Sequence, residues 1–187
     1  MTRFATSTAL LLALSPLAAQ AETGTETETP QALAQLLDQA EIIRITNAID
    51  IAVDRKDWNL ARSYFAETIH VDFTSLIGGE PATIPADALI AGWAGNLTAE
   101  KESFHLRGNH QVSFADADTA SVYSHGYAWN RMERGLAPEN GGEALWEVWG
   151  SYTHALQRGD TGWEVTGMSF TATAERGSSF VRNTPGN

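Results

Sequence analysis

FHLRGNHQVSFADADTASVYSHGYAWNRMER, residues 104–134, holds two runs of alternating apolar and polar side chains, parted by Ala115-Asp116-Ala117-Asp118. A period of two marks a strand with one buried face, and an Asp-rich quartet between such runs is turn chemistry. Two more alternating segments follow, with Pro138 to Gly142 before them and Gly159-Asp160-Thr161-Gly162 between them. Long strands joined by short connections pair antiparallel. Phe104–Phe114, Ala120–Arg134, Ala144–Arg158 and Trp163–Ala174 therefore predict a meander.

Upstream the period changes. From Gln31 to Arg55 the residues Leu33, Leu36, Leu37, Ala40, Ile43, Ile45, Ile49, Ala52 and Val53 recur at three and four. That spacing predicts an amphipathic helix, continuous or broken in two. Asp57 is placed to cap a second helix, Trp58–Phe65. Ile69–Phe73 reads as a short strand, and Pro85 opens a third helix over Ala88–Leu97. Helices first and a meander afterwards predict an α+β domain. Its cone-shaped, curved antiparallel sheet would carry the N-terminal helices on its concave face, with a pocket between the layers.

The ends read differently from the middle. Residues 1–21 look like a secretory signal peptide: Arg3, a short apolar core from Ala9 to Leu14, a break at Ser15-Pro16, and Ala19-Gln20-Ala21 as the cleavage site. That core is shorter than the roughly 20 apolar residues a membrane span needs. The expectation is export to the periplasm or the medium, with no membrane attachment after cleavage. Residues 22–30 (ETGTETETP) form a polar, low-complexity run expected to be a disordered linker. Residues 31–175 make one domain. Residues 176–187, rich in Gly, Ser and Pro, are expected to be a flexible tail apart from Phe180-Val181.

Twelve basic side chains stand against 23 acidic ones, for a formal net charge of −11. Nucleic-acid affinity rests on Lys and Arg neutralising phosphates, so the balance argues against nucleic-acid or anionic-membrane partners. The chain has no Cys, which excludes disulfides and thiolate ligands. It has no H-E-x-x-H and no Gly-rich phosphate loop. On an unbroken strand His105 and His110, five apart, point to opposite faces and cannot share a metal without a bulge. No metal or cofactor is expected. His110, His125 and His154 read as structural or half-exposed.

Five motifs in order carry a resemblance over nearly the whole span 35–175. They are Asp54-Arg55-Lys56-Asp57-Trp58; Val71-Asp72-Phe73-Thr74-Ser75-Leu76 with Gly78-Gly79-Glu80-Pro81; Ala91-Gly92-Trp93; His105-Leu106-Arg107-Gly108-Asn109-His110; and Gly150-Ser151-Tyr152-Thr153-His154 before Asp160-Thr161-Gly162-Trp163. Together they resemble the nuclear transport factor 2-like superfamily. More narrowly, they resemble its SnoaL-like branch, which includes scytalone dehydratase and hexachlorocyclohexane dehydrochlorinase.

The resemblance implies a catalytic dyad of Asp54 and His105. The imidazole removes a proton from carbon and the carboxylate orients it. An imidazole titrates near neutral pH, and a carboxylate on its far nitrogen fixes the tautomer. The chain departs from the dehydratase pattern where Asn130 replaces a second histidine and Val53 and Phe73 replace tyrosines. Tyr152 is left to supply a hydroxyl. Scytalone dehydration is therefore not expected, whereas a reaction needing one base is.

Trp146, Tyr152, Met168 and Phe170 fall on inward phases, with Trp129 or Tyr127 closing the rim. Such walls suit a small apolar, aromatic or cyclic ligand. Three functions compete. The first is a lyase or isomerase acting by proton abstraction. The second is a non-catalytic exported binding module. The third is a scaffold forming a homodimer or homotrimer through the sheet, where Trp149 and Trp163 hint at an apolar outer face.

Overall fold

The computed structural model describes residues 28–140 and 142–185; the expected signal peptide and most of the linker lie outside them. Helix α1 (Glu28–Asp54) is followed by α2 (Trp58–Arg62), β1 (Phe65–Asp72), α3 (Thr74–Ile77), β2 (Ala82–Pro85) and α4 (Ala86–Asn96). The long strands are β3 (Glu102–Phe114), β4 (Thr119–Arg131), β5 (Leu145–Gly159) and β6 (Gly162–Gly177), and α5 (Ser179–Asn183) closes the order. Two short 3-10 turns, Glu133–Leu136 and Pro138–Asn140, lie between β4 and β5.

The six strands run β2-β1-β6-β5-β4-β3 in one curved, unclosed sheet. The expected antiparallel meander is there from β3 to β6. The sheet as a whole is mixed, however, because β1 pairs with β6 in parallel. The α4 crossover explains this: it carries the chain from the β1–β2 edge to the far edge, and the meander returns to β1 already running its way.

The α1 period reads correctly as helix and only half correctly as core. Ile42, Ile45, Ile49, Ala52 and Val53 are buried, yet Leu33, Leu36 and Leu37 are each more than half exposed. Asp38 marks the changeover. It accepts hydrogen bonds from Arg158 Nη2 (2.7 Å) and Trp163 Nε1 (3.0 Å) at the β5–β6 turn, beyond which the helix overhangs the sheet. Trp163 is itself buried and adds nothing to an apolar outer face.

At its other end α1 stops sharply. Lys56 takes a left-handed φ of 58°, Lys56 N–H bonds Val53 O and Asp57 N–H bonds Ala52 O. This paired closure satisfies the last carbonyls of a helix. Asp57 then caps α2 by accepting from Leu60 N–H at 3.1 Å, as its position in the sequence suggests.

The tail is not loose throughout. Ser178 caps α5, whose Val181 is fully buried. Two short elements were also unseen in the pattern: α3 and β2 flank Gly78-Gly79, whose φ values of 72° and 85° make the bend between them.

Candidate active site

Asp54 is the last residue of α1, and the closure at Lys56 fixes its carboxylate over β3. Oδ1 accepts from His105 Nδ1 at 2.7 Å and from Ser103 Oγ at 2.9 Å, and Oδ2 accepts from the His105 backbone N–H at 2.8 Å. In the neutral tautomer that donates from Nδ1 to Asp54, Nε2 is the acceptor, and the ring lines the cavity. Both side chains are 18% exposed, so solvent reaches the pair only in part.

The cavity lies between α1, α3, α4 and the sheet and has a volume of about 670 Å³. Val53, Phe73, Trp146, Met168 and Phe170 line it, and Asn130 and Tyr152 add polar atoms. The structure brings these seven residues and His105 to one cavity. Asp54 sits behind His105 rather than in the wall. Tyr127 and Trp129 do not close the rim. They lie on the outer face, where Tyr127 donates to Glu147 at 2.6 Å and Trp129 stacks on Phe104.

The sequence reading missed a buried ionic floor. Arg107 donates to Asp50 twice, Nε to Oδ2 at 2.5 Å and Nη2 to Oδ1 at 2.6 Å, and both residues line the cavity. Burial works against the guanidinium, but the Asp50 charge and hydrogen bonds outweigh it and hold Arg107 protonated. Its Nη1 donates to His154 Nε2 at 2.7 Å. His154 is fully buried, which is the structural one of the two roles the sequence left open for it. Burial, then the Arg107 and His110 charges, push its pKa well below that of a free imidazole. A signal for this floor was available: Asp50 and Asp54, four apart, share the apolar face of one helix, and a buried acid requires a partner.

His110 joins this floor through a bulge. The β3–β4 register shifts between Gly108 and Gln111, with Asn109 in a left-handed φ of 56°. The extra residue turns His110 inward, beside Arg107, on the same side as His105. Even so, the described residues contain no group of three or more side chains able to hold a metal ion.

The mouth carries a second arginine from the tail. Arg182 of α5 lines the cavity, donates to Leu76 O of α3 at 2.6 Å and pairs with Glu175 at 2.7 Å. Glu175 also accepts from Trp146 Nε1 at 3.1 Å. Arg182, in the stretch expected to be flexible, is therefore part of the wall.

Among curated proteins none matches this chain. Solved structures do. The Kfla4162 protein of Kribbella flavida is 26% identical over 79% of this chain and 99% of its own, with a TM-score of 0.73. A protein of Novosphingobium aromaticivorans assigned as a scytalone dehydratase is 18% identical over 78% of this chain and 90% of its own, with a TM-score of 0.66. The hexachlorocyclohexane dehydrochlorinase LinA-type3 of Novosphingobium barchaimii is 15% identical over 83% and 99%, with a TM-score of 0.62. The last two likenesses show the shared fold alone. The SnoaL-like domain matches residues 34–169, most of the chain, and the cone, its helices and its pocket agree with it: this protein belongs to the SnoaL-like family of the nuclear transport factor 2-like superfamily.

Proposed function

We propose that this protein is an exported, cofactor-independent lyase or isomerase that removes a proton from carbon in a small cyclic substrate. The observation that carries it is the 2.7 Å contact between His105 Nδ1 and Asp54, which leaves Nε2 as the base in an apolar cavity. Asp54 keeps the tautomer and balances the imidazolium as it forms. A base positioned this way typically contributes about 10²–10⁴-fold. The LinA-type relative is a dehydrochlorinase by name; a halide leaves without a general acid, which suits a pocket with Asn130 where the resemblance implies a second histidine.

Turnover of a panel of cyclic ketones and halides by wild type and His105→Ala tests the reading. Substrate loss that disappears in the variant supports it, and no turnover on any member counts against it. Export rests on residues 1–21 alone. Intact mass of exported protein should place the mature start at Glu22, and a full-length mass would refute that. Self-association as a homodimer or homotrimer is proposed through the outer sheet face, where Leu106 is 57% exposed beside Phe104 and Trp129.

The second reading, a binding module without chemistry, is favoured by Asn130. An amide can hold a ligand oxygen but cannot return a proton as an acid would. Ligand bound tightly and recovered unchanged would support it.

A further inference from the structure

Among the described residues, the charged side chains that line the cavity are Asp50, Arg107 and Arg182. The first two answer each other. Arg107 meets both oxygens of Asp50, at 2.5 and 2.6 Å, and gives a third donor to His154. Arg182 is held differently. Its Nε donates to one oxygen of Glu175, Oε2, which also takes the Trp146 Nε1–H. Its Nη1 donates to Asn183 Oδ1 at 2.9 Å and its Nη2 to Leu76 O at 2.6 Å. A guanidinium has five N–H groups, so two remain, one on each terminal nitrogen. The Arg182 and Glu175 side chains are 30% and 44% exposed, and a one-point ion pair so open to solvent is weak. The mouth therefore holds a cation with donors to spare.

Its place is fixed. Ser178 caps α5 and Val181 is fully buried, so the helix cannot roll and the next side chain, Arg182, stays in the wall. The guanidinium carbon stands 6.0 Å from the centre of the Trp146 ring. Register relates that ring to the base. His105 pairs with Ala128 and Ala128 with Val148, and Trp146 lies two residues from Val148 on the same face of β5. Strands lie about 4.8 Å apart and rise about 3.3 Å per residue, so the Trp146 position is about 10 Å across the sheet from His105 and about 7 Å along it. The wall between them is apolar, made by Ala128, Val148 and Trp146 itself. One or two fused rings can fill that span, with the reacting carbon at His105 and a substituent at Arg182.

We infer that Arg182 is the specificity residue of this cavity and that the substrate is a cyclic carboxylic acid, its ring on the apolar wall and its carboxylate on the guanidinium at the mouth. The inference deepens the proposed proton abstraction and rests on it for the reacting end alone. A carboxylate suits the site better than a phosphate. One cation with two free donors matches a single negative charge, and a chain of formal net charge −11 repels a second. Against that field, a cation at the entrance is what admits an acid. Arg182 moves no proton. It holds the substrate in register with the base, and an anchor far from the reacting carbon serves ground state and transition state alike, so its loss raises KM and leaves kcat.

Fluorescence titration of 2-naphthoate and its neutral isostere 2-naphthamide tests the anchor apart from turnover. Wild type should prefer the acid about tenfold or more, the worth of a hydrogen bond between charged groups. Arg182→Met should bring the two probes to near parity while binding the amide as before. Glu175→Gln keeps an acceptor for Arg182 and Trp146, removes the competing charge and should widen the preference, whereas about 1 M salt should narrow it. No preference in wild type, a preference intact in Arg182→Met, or one that fails to widen in Glu175→Gln would each overturn the inference. The wild-type comparison decides even where a variant loosens α5. Cyclic keto acids added to the turnover panel separate the two claims. If the acid probe is preferred but no panel member turns over, the anchor stands and the proposed reaction falls. If keto acids turn over with the same KM in wild type and Arg182→Met, the reaction stands and the anchor falls.

Discussion

His105 and Asp54 are joined twice: the ring Nδ1 to Oδ1 at 2.7 Å and the backbone N–H to Oδ2 at 2.8 Å. The second bond ties the carboxylate to β3 itself, so the acid stays in place when the ring changes charge. Asp54→Asn keeps a similar shape but offers an amide where a carboxylate stood. Turnover of any substrate found should fall by about 10²-fold or more, with KM little changed. Single-turnover kinetics would check it, and Ser103→Ala, which removes one of the carboxylate's donors, should lose far less.

Gly126 and Gly150, paired across β4 and β5, predict an asymmetry. Gly126→Ala meets only the edge of the Tyr152 ring, whereas Gly150→Ala also meets Thr171 O at 2.3 Å. A ring can tilt more easily than a strand can move. Overpacking of this kind costs about 1–3 kcal/mol. Thermal melts should show both variants lowered, Gly150→Ala the more.

The ion pair beneath the pocket makes a different prediction. Arg107→Met strands the Asp50 carboxylate in the interior, and losing one partner of a buried pair costs about 3–5 kcal/mol. The double variant Asp50→Leu with Arg107→Met strands nothing and should recover much of the loss. Urea unfolding of the three proteins measures it. A double variant no better than Arg107→Met would show that shape, rather than charge, is what the floor supplies.

How far the sequence could be read follows from these same residues. Asp54, His105 and the apolar wall were legible because motifs in order give a resemblance, and alternation gives each strand residue a face. Asp50 and Arg107 were not, because their contact spans 57 positions and a helix-to-strand pairing has no local pattern. Leu33, Leu36 and Leu37 carry the right period but overhang the sheet; periodicity shows which face is apolar, not whether anything covers it. Asn109 hid a bulge, and with it the inward turn of His110. The parallel pairing of β1 with β6 depends on the route of the whole chain.

Acid should weaken the fold through its histidines. His154 is depressed well below 6.5 by burial, then by Arg107 and His110; His110 is lowered by burial and Arg107, with Asp50 opposing. The folded state therefore refuses protons that the unfolded chain binds below about pH 6.5. This contribution is fully present above that pH and is lost as pH falls below it, by up to about 1.4 kcal/mol per unit for each histidine. Lys101, pushed down to about 8 by burial and by Arg134, titrates above this window and does not confuse it. Urea midpoints at pH 7.5, 6.0 and 5.0 should descend, and a flat series would refute the assignment.

The bulge at Asn109 sets a parity. Along a strand, odd and even positions belong to opposite sides, and one surplus residue swaps them from that point on. His105 and Arg107 face the cavity as odd positions; beyond the surplus residue, His110, Val112 and Phe114 face inward as even ones. Loss of the single codon for Asn109 would leave composition and charge almost untouched, yet it would set the two ends of β3 in conflict. Either the core end or the end that carries His105 would have to turn inside out. A one-residue deletion there should therefore be far more damaging than any substitution at the same place.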